Sequence, residues 1–158
     1  MRTVIVLLGG VALSFAVAAL LAHFLTPDAG KLIGWMFAAL PSNPQWPEVS
    51  SRWHHVSVIS SYVIPPLTGL AVGLFVGLLQ MRSAAVVAAC CLLPDFLAQF
   101  MLDTPKLWAK SPAGILSYVL VHSLPFVAAA LAAGLSRRAV HYRRGRSRGV
   151  PGITAPQA

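Results

Sequence analysis

Six residues have the types and spacing to do chemistry together: Asp95, Gln99 and Cys91 in one apolar run, His122 and Tyr118 in another, and Thr68 in a third. The pattern Ala84-x-x-x-Ala88-x-x-Cys91-x-x-x-Asp95-x-x-x-Gln99 lays a small and polar stripe along one helical face. Tyr118 and His122 are four apart and share a face in the same way. A carboxylate inside an apolar run is expensive, roughly 2.5–3.5 kcal/mol on insertion scales, so it calls for a partner or a wet cavity. Counted at 1.5 Å per residue, Asp95 lies about 18 Å from one end of its helix and His122 about 12–14 Å from the opposite surface. In a hydrocarbon core of roughly 30 Å those depths nearly coincide. The plain reading is an Asp95–His122 hydrogen bond that clamps two helices, worth about 0.6–2 kcal/mol. The sharper reading is a site that handles protons or ions.

Prolines gather at the same level. Pro65-Pro66, Pro94 and Pro125 each lack an N–H and deprive the carbonyl four residues earlier of its donor: Ser61, Tyr62, Cys90 and Val121. Irregular backbone at membrane depth is tolerated where it lines protein or water, and transporters build ion and substrate sites from it. The segment around Pro65-Pro66 is therefore expected to be a broken helix.

Other candidate chemistry is thinner. Cys90 and Cys91 are adjacent, and two neighbouring helical residues cannot form an ordinary disulfide. A vicinal cysteine pair in a membrane helix with a nearby proline resembles the mercuric-ion membrane transporters. The second, loop-borne cysteine pair of that family is missing, and a buried Cys is by default a small apolar filler. His54 and His55 point about 100° apart on a helix and do not share a metal easily. Neither a metal nor a cofactor is expected. There is no Gly-x-Ser-x-Gly, His-Glu-x-x-His, phosphate loop or pair of close carboxylates, so no enzyme is expected. Lipoprotein signal peptidases are of similar size and also have four spans, but they need two aspartates in Asn-rich motifs absent here. Small multidrug exporters carry their acid in the first span, which has none here.

The elements that must position these residues follow from composition. Of 158 residues 57% are hydrophobic and 10% charged, with a mean hydropathy of +0.73. Soluble domains carry about a quarter charged residues. Four stretches reach the roughly 20 apolar residues that a span needs: Thr3–Leu25, Val56–Leu79, Ser83–Leu102 and Gly114–Leu135. The fold expected is an all-α, four-helix membrane bundle over residues 1–136. A basic, disordered tail is expected over 137–158. The first run exceeds the 7–15 residues or so of a signal-peptide core, so it reads as an uncleaved helix. Gly69, Gly73 and Gly77 fall at every fourth position of the second span and leave a groove for close backbone approach. Gly10 and Ser14 form a similar ridge on the first span, which could face that groove.

Charge sets the orientation. With four spans, one side collects Arg2, Arg82 and six arginines after residue 136, with no acid among them. The positive-inside rule places both termini in the cytoplasm, as for a bacterial inner-membrane protein. Arginines directly after a span touch anionic headgroups; without aromatic interleaving or a recognition helix, nucleic acid is not an expected partner. The first outer loop should hold a short interfacial helix near Lys31–Leu40, and Pro47 can open another, with Glu48 and Arg52 paired on its first turns. All four tryptophans, Trp35, Trp46, Trp53 and Trp108, fall on the outer side, as an aromatic belt or a surface for a partner. Two functions fit. One is an accessory, assembly or structural subunit of a larger membrane complex or homo-oligomer; the other is a small transporter or proton relay using Asp95 and His122.

Overall fold

Helix α1 (Arg2–Leu25) is an uninterrupted apolar run that stops where Thr26 and Pro27 arrive. The Thr26 backbone N–H and Oγ1 both donate to the Ala22 carbonyl, which closes the last turn. The computed structural model describes residues 1–31, 34, 46–79, 81, 83–107 and 112–148. Most of the expected interfacial segment Lys31–Leu40, together with Trp35 and Trp108, lies outside them. Helix α2 (Trp46–Val58) opens around Pro47, and its Glu48–Arg52 ion pair closes at 2.6 Å. A π-helical turn, Ile59–Val63, joins it to α3 (Ile64–Leu78). Helices α4 (Ala84–Leu107) and α5 (Pro112–Arg148) complete the chain. Among the described residues there is no strand. Among the described residues four helical stretches are long and apolar enough to cross a membrane: Arg2–Leu25, Trp46–Leu78, Ala84–Met101 and Ile115–Arg144.

The second span is not broken at its proline pair, as the sequence suggests, but continuous from Trp46 to Leu78. The π turn explains why. A wider turn gives the Pro65 and Pro66 rings room beside the preceding carbonyls, and it registers as the Ile64 N–H bonding the Ile59 carbonyl, five residues back.

The glycine ridge finds a different partner from the one expected. A Cβ on Gly69 would collide with the backbone of Pro125, one on Gly73 with that of Ala129, and one on Gly77 with Ser136 Oγ and the Ala133 carbonyl. Pro125, Ala129 and Ala133 form their own four-residue ridge, so α3 and α5 lie parallel, backbone on backbone. This is the most extensive helix pair in the fold. Helix α1 packs elsewhere: Gly9 meets the Phe75 ring, and Gly10 fits against the Cys91 side chain of α4. Ser14 is buried on the same side of α1. The core is correspondingly small-grained, with Val72, Val76, Ala88, Cys91, Ala129 and Ala133 fully buried. The Arg2 guanidinium donates to the Leu79 carbonyl at 2.8 Å, tying the start of α1 to the end of α3.

Residues 137–148 are also helical, where a disordered tail is expected from position 137. Arg, Ala and Tyr tolerate a helix, and cations near a helix C-terminus favour it electrostatically. The described helix runs to Arg148. Much apolar surface remains outward: only 11% to 28% of each of the four apolar stretches is buried inside the protein.

Candidate functional site

The polar residues gather between α3, α4, α5 and the π turn. Asp95 and Gln99 come from α4, His122 from α5, Thr68 from α3 and Ser61 from the π turn, and all line one cavity of about 30 Å³. That volume holds roughly one or two water molecules. Phe96 and Phe126 form its apolar wall, ring edge to ring face at 5.6 Å between centroids.

Asp95 and His122 thus reach the same cavity, but among the described residues they make no hydrogen bond or ion pair with each other. Asp95 Oδ2 instead accepts from Gln99 Nε2 at 3.2 Å, one turn along its own helix. The His122 ring stacks on Tyr118, centroids 3.8 Å apart, and its Nδ1 lies 2.9 Å from the Tyr118 carbonyl. A carbonyl can only accept, so Nδ1 carries the proton of this bond. The Phe96 ring meets the imidazole edge-on at 6.5 Å. The expected clamp between the two helices is replaced by two bonds within helices, Asp95 to the Gln99 side chain and His122 to the Tyr118 carbonyl.

Thr68 is buried, and its Oγ1 donates to the Ile64 carbonyl at 2.9 Å. Its only hydrogen is thereby engaged, and the oxygen faces its other neighbours as an acceptor. The backbone supplies more oxygens. For the Ser61 carbonyl, the helical donors four and five residues on would be Pro65 and Pro66, which have no N–H. The N–H three residues on, at Ile64, is taken by Ile59. The Val121 carbonyl loses its donor to Pro125 in the same way. Ser61, Pro65, Val121 and Pro125 all line the cavity.

Cys91 stands apart from this group. Its side chain turns to α1, with Sγ 3.8 Å from the Leu7 carbonyl, and it acts as core. Cys90 is exposed. The rings of His54 and His55 lie edge to face at 6.4 Å, and His55 Nδ1 bonds the Ser51 carbonyl. Among the described residues no three His, Cys, Asp or Glu side chains gather as a metal site would require. Trp46 and Trp53 are half-buried on α2, seven residues apart and so on one face. Sequence reasoning passed over the small ridge of α5 and the Phe96–Phe126 wall. The four-residue spacing of Pro125, Ala129 and Ala133 carries the first signal; nothing in spacing marks the second. Comparison with protein families, with characterised proteins and with solved structures returns no match.

Proposed function

We propose that this chain is a four-span integral membrane protein that serves as a non-enzymatic subunit of a larger membrane assembly, with both ends in the cytoplasm. The observation that carries the reading is the outward apolar surface: long helices of which less than a third is buried internally. Surface of that kind and extent needs lipid or protein against it. The parallel pairing of α3 with α5, and the bond from Arg2 to Leu79, set Arg2 at the same end as Arg137 and Arg138. A cationic end of this kind favours the cytoplasmic leaflet and its anionic headgroups. Trp46 and Trp53 on one face of α2 offer aromatic contact at the other end, to a belt of headgroups or to a second subunit.

Extraction in mild detergent followed by native mass spectrometry tests this. A second polypeptide, or a second copy, in fixed ratio is the expected result; a lone chain carrying only lipid would remove the assembly reading. Recovery in the soluble fraction would remove the membrane reading. The polar cavity favours a second reading, a small relay or transport protein working through Asp95 and His122. Its test is proton flux in liposomes, wild type against Asp95→Asn.

A further inference from the structure

We infer that the cavity between the π turn, α3, α4 and α5 is a binding site for one monovalent metal cation of the sodium class. Within a largely apolar lining stand the Asp95 carboxylate, the Thr68 and Ser61 hydroxyls and the Gln99 amide, and Ser61 and Val121, which also line it, are residues whose carbonyls prolines leave without the donor four residues on. Hard oxygens of this kind, with unwound or proline-freed carbonyls among them, are what holds sodium inside membrane bundles. Among the described residues no thiol or thioether lines the cavity, since Cys91 faces α1.

Charge selects valence. Among the described residues Asp95 is the one acid that lines the cavity, and His122, the other titratable group there, contributes no negative charge. A single carboxylate neutralises a single positive charge. A divalent ion would leave one charge uncompensated in a region of low dielectric, which is strongly unfavourable. Size agrees: about 30 Å³ admits one dehydrated cation with at most a water beside it. The donors are also held in place beforehand. Gln99 anchors Asp95 Oδ2 and leaves Oδ1 available, while Thr68 is fixed through its own hydrogen on Ile64.

This inference rests on the membrane placement of the helices and not on the subunit role. The test uses the full chain in detergent, with sodium chloride exchanged for choline chloride at constant ionic strength. The first readout is melting temperature. The second is modification of Asp95 by a hydrophobic carbodiimide, mapped by mass spectrometry; the chain has only three other acids, Asp28, Glu48 and Asp103. Sodium should raise the melting temperature saturably. It should also slow Asp95 modification about tenfold when present at ten times its Kd. Thr68→Val keeps the carboxylate and should shift both effects to higher sodium. Asp95→Asn should abolish the thermal effect, and since that variant could fail to fold, the wild-type ion exchange is the deciding measurement. Lithium or potassium acting like sodium supports the same site and reports its size. Equal behaviour in sodium and choline overturns the inference, as does protection by calcium at lower concentration than by sodium. None of these ionic outcomes bears on membrane extraction, which is tested separately.

Discussion

Replacing Gly73 by alanine adds one methyl group at the centre of the α3–α5 seam, and the structure gives that methyl nowhere to go. It would overlap the carbonyl oxygen, carbonyl carbon and Cα of Ala129. All three are backbone atoms in a helix, so no side-chain rotation relieves the contact and the two helices must separate. Separation also loosens Val72 and Val76, which flank the seam and are fully buried. Overpacking of this kind costs about 1–3 kcal/mol. The same chain carries its own control. Gly134 lies exposed in α5, and a methyl group added there would have no neighbouring atom within 4 Å, so alanine meets open space. Removing a mid-helix glycine gains about 0.5–1 kcal/mol. The two substitutions are chemically identical yet should move stability in opposite directions, by a gap of about 1.5–4 kcal/mol. At about 2–4 °C per kcal/mol for a chain of this size, their melting temperatures should differ by roughly 3–16 °C. Far-ultraviolet circular dichroism of both variants in one detergent measures it. Equal melting temperatures, or a more stable Gly73→Ala, would refute the backbone-on-backbone seam. Gly10→Ala should fall between them, because its closest clash is with the Cys91 sulfur, which can rotate away, and only the milder contact with Cys91 Cβ remains.

Three further outcomes can be checked. A double-mutant cycle of Asp95→Asn with Gln99→Leu should show coupling of about 0.5–1.5 kcal/mol. The cycle of Asp95→Asn with His122→Gln should show less, because those two residues share a cavity and not a bond; the reverse ranking would mean that they meet directly. In a Cys90→Ser, Cys91→Ala background, a cysteine at Ser50 should react with an impermeant thiol reagent applied to intact cells, while one at Arg146 should not; labelling at Arg146 alone would invert the topology. Arg2→Ala removes the exposed bond to the Leu79 carbonyl and should lower stability by about 0.3–1 kcal/mol, read by thermal melting; a larger loss would mean that Arg2 has a buried role.

The sequence made the four apolar helices readable because length and composition alone determine them, and the glycine spacing showed that α3 carries a groove. What filled the groove was less legible. A ridge of Gly10 and Ser14 looks as suitable as one of Ala129 and Ala133, since periodicity describes one helix and says nothing of which neighbour faces it. Chain order does not help either, because the closest pair, α3 and α5, is separated by the whole of α4. The proline pair misled for a related reason. A missing N–H specifies that a helical bond is lost, and both a break and a π turn satisfy that condition. Depth counting brought Asp95 and His122 to one level, and the structure has both lining one cavity. It could not show that each side chain would bond along its own helix, because such i to i+4 bonds depend on rotamers and not on depth.

The seam and the cavity are two consequences of one arrangement. Along α3, contact with α5 is tight from Gly77 through Gly73 to Gly69, and the last of these rests on the backbone of Pro125. One turn further, Pro65 on the first helix and Pro125 on the second both border open space. Glycines at 69, 73 and 77 let the two backbones approach, and the cavity begins where Pro65 takes the next position of the ridge. Residues of α4, Asp95, Phe96 and Gln99, also border that wedge of space. It follows that the polar site is not independent of the packing. A substitution that spreads the seam, such as Gly69→Ala next to Pro125, should widen the wedge and admit more water to Asp95. Faster amide hydrogen exchange at the Ser61–Thr68 segment in Gly69→Ala, with no change in Gly134→Ala, would reveal that coupling. Unchanged exchange would mean that the prolines alone hold the cavity open.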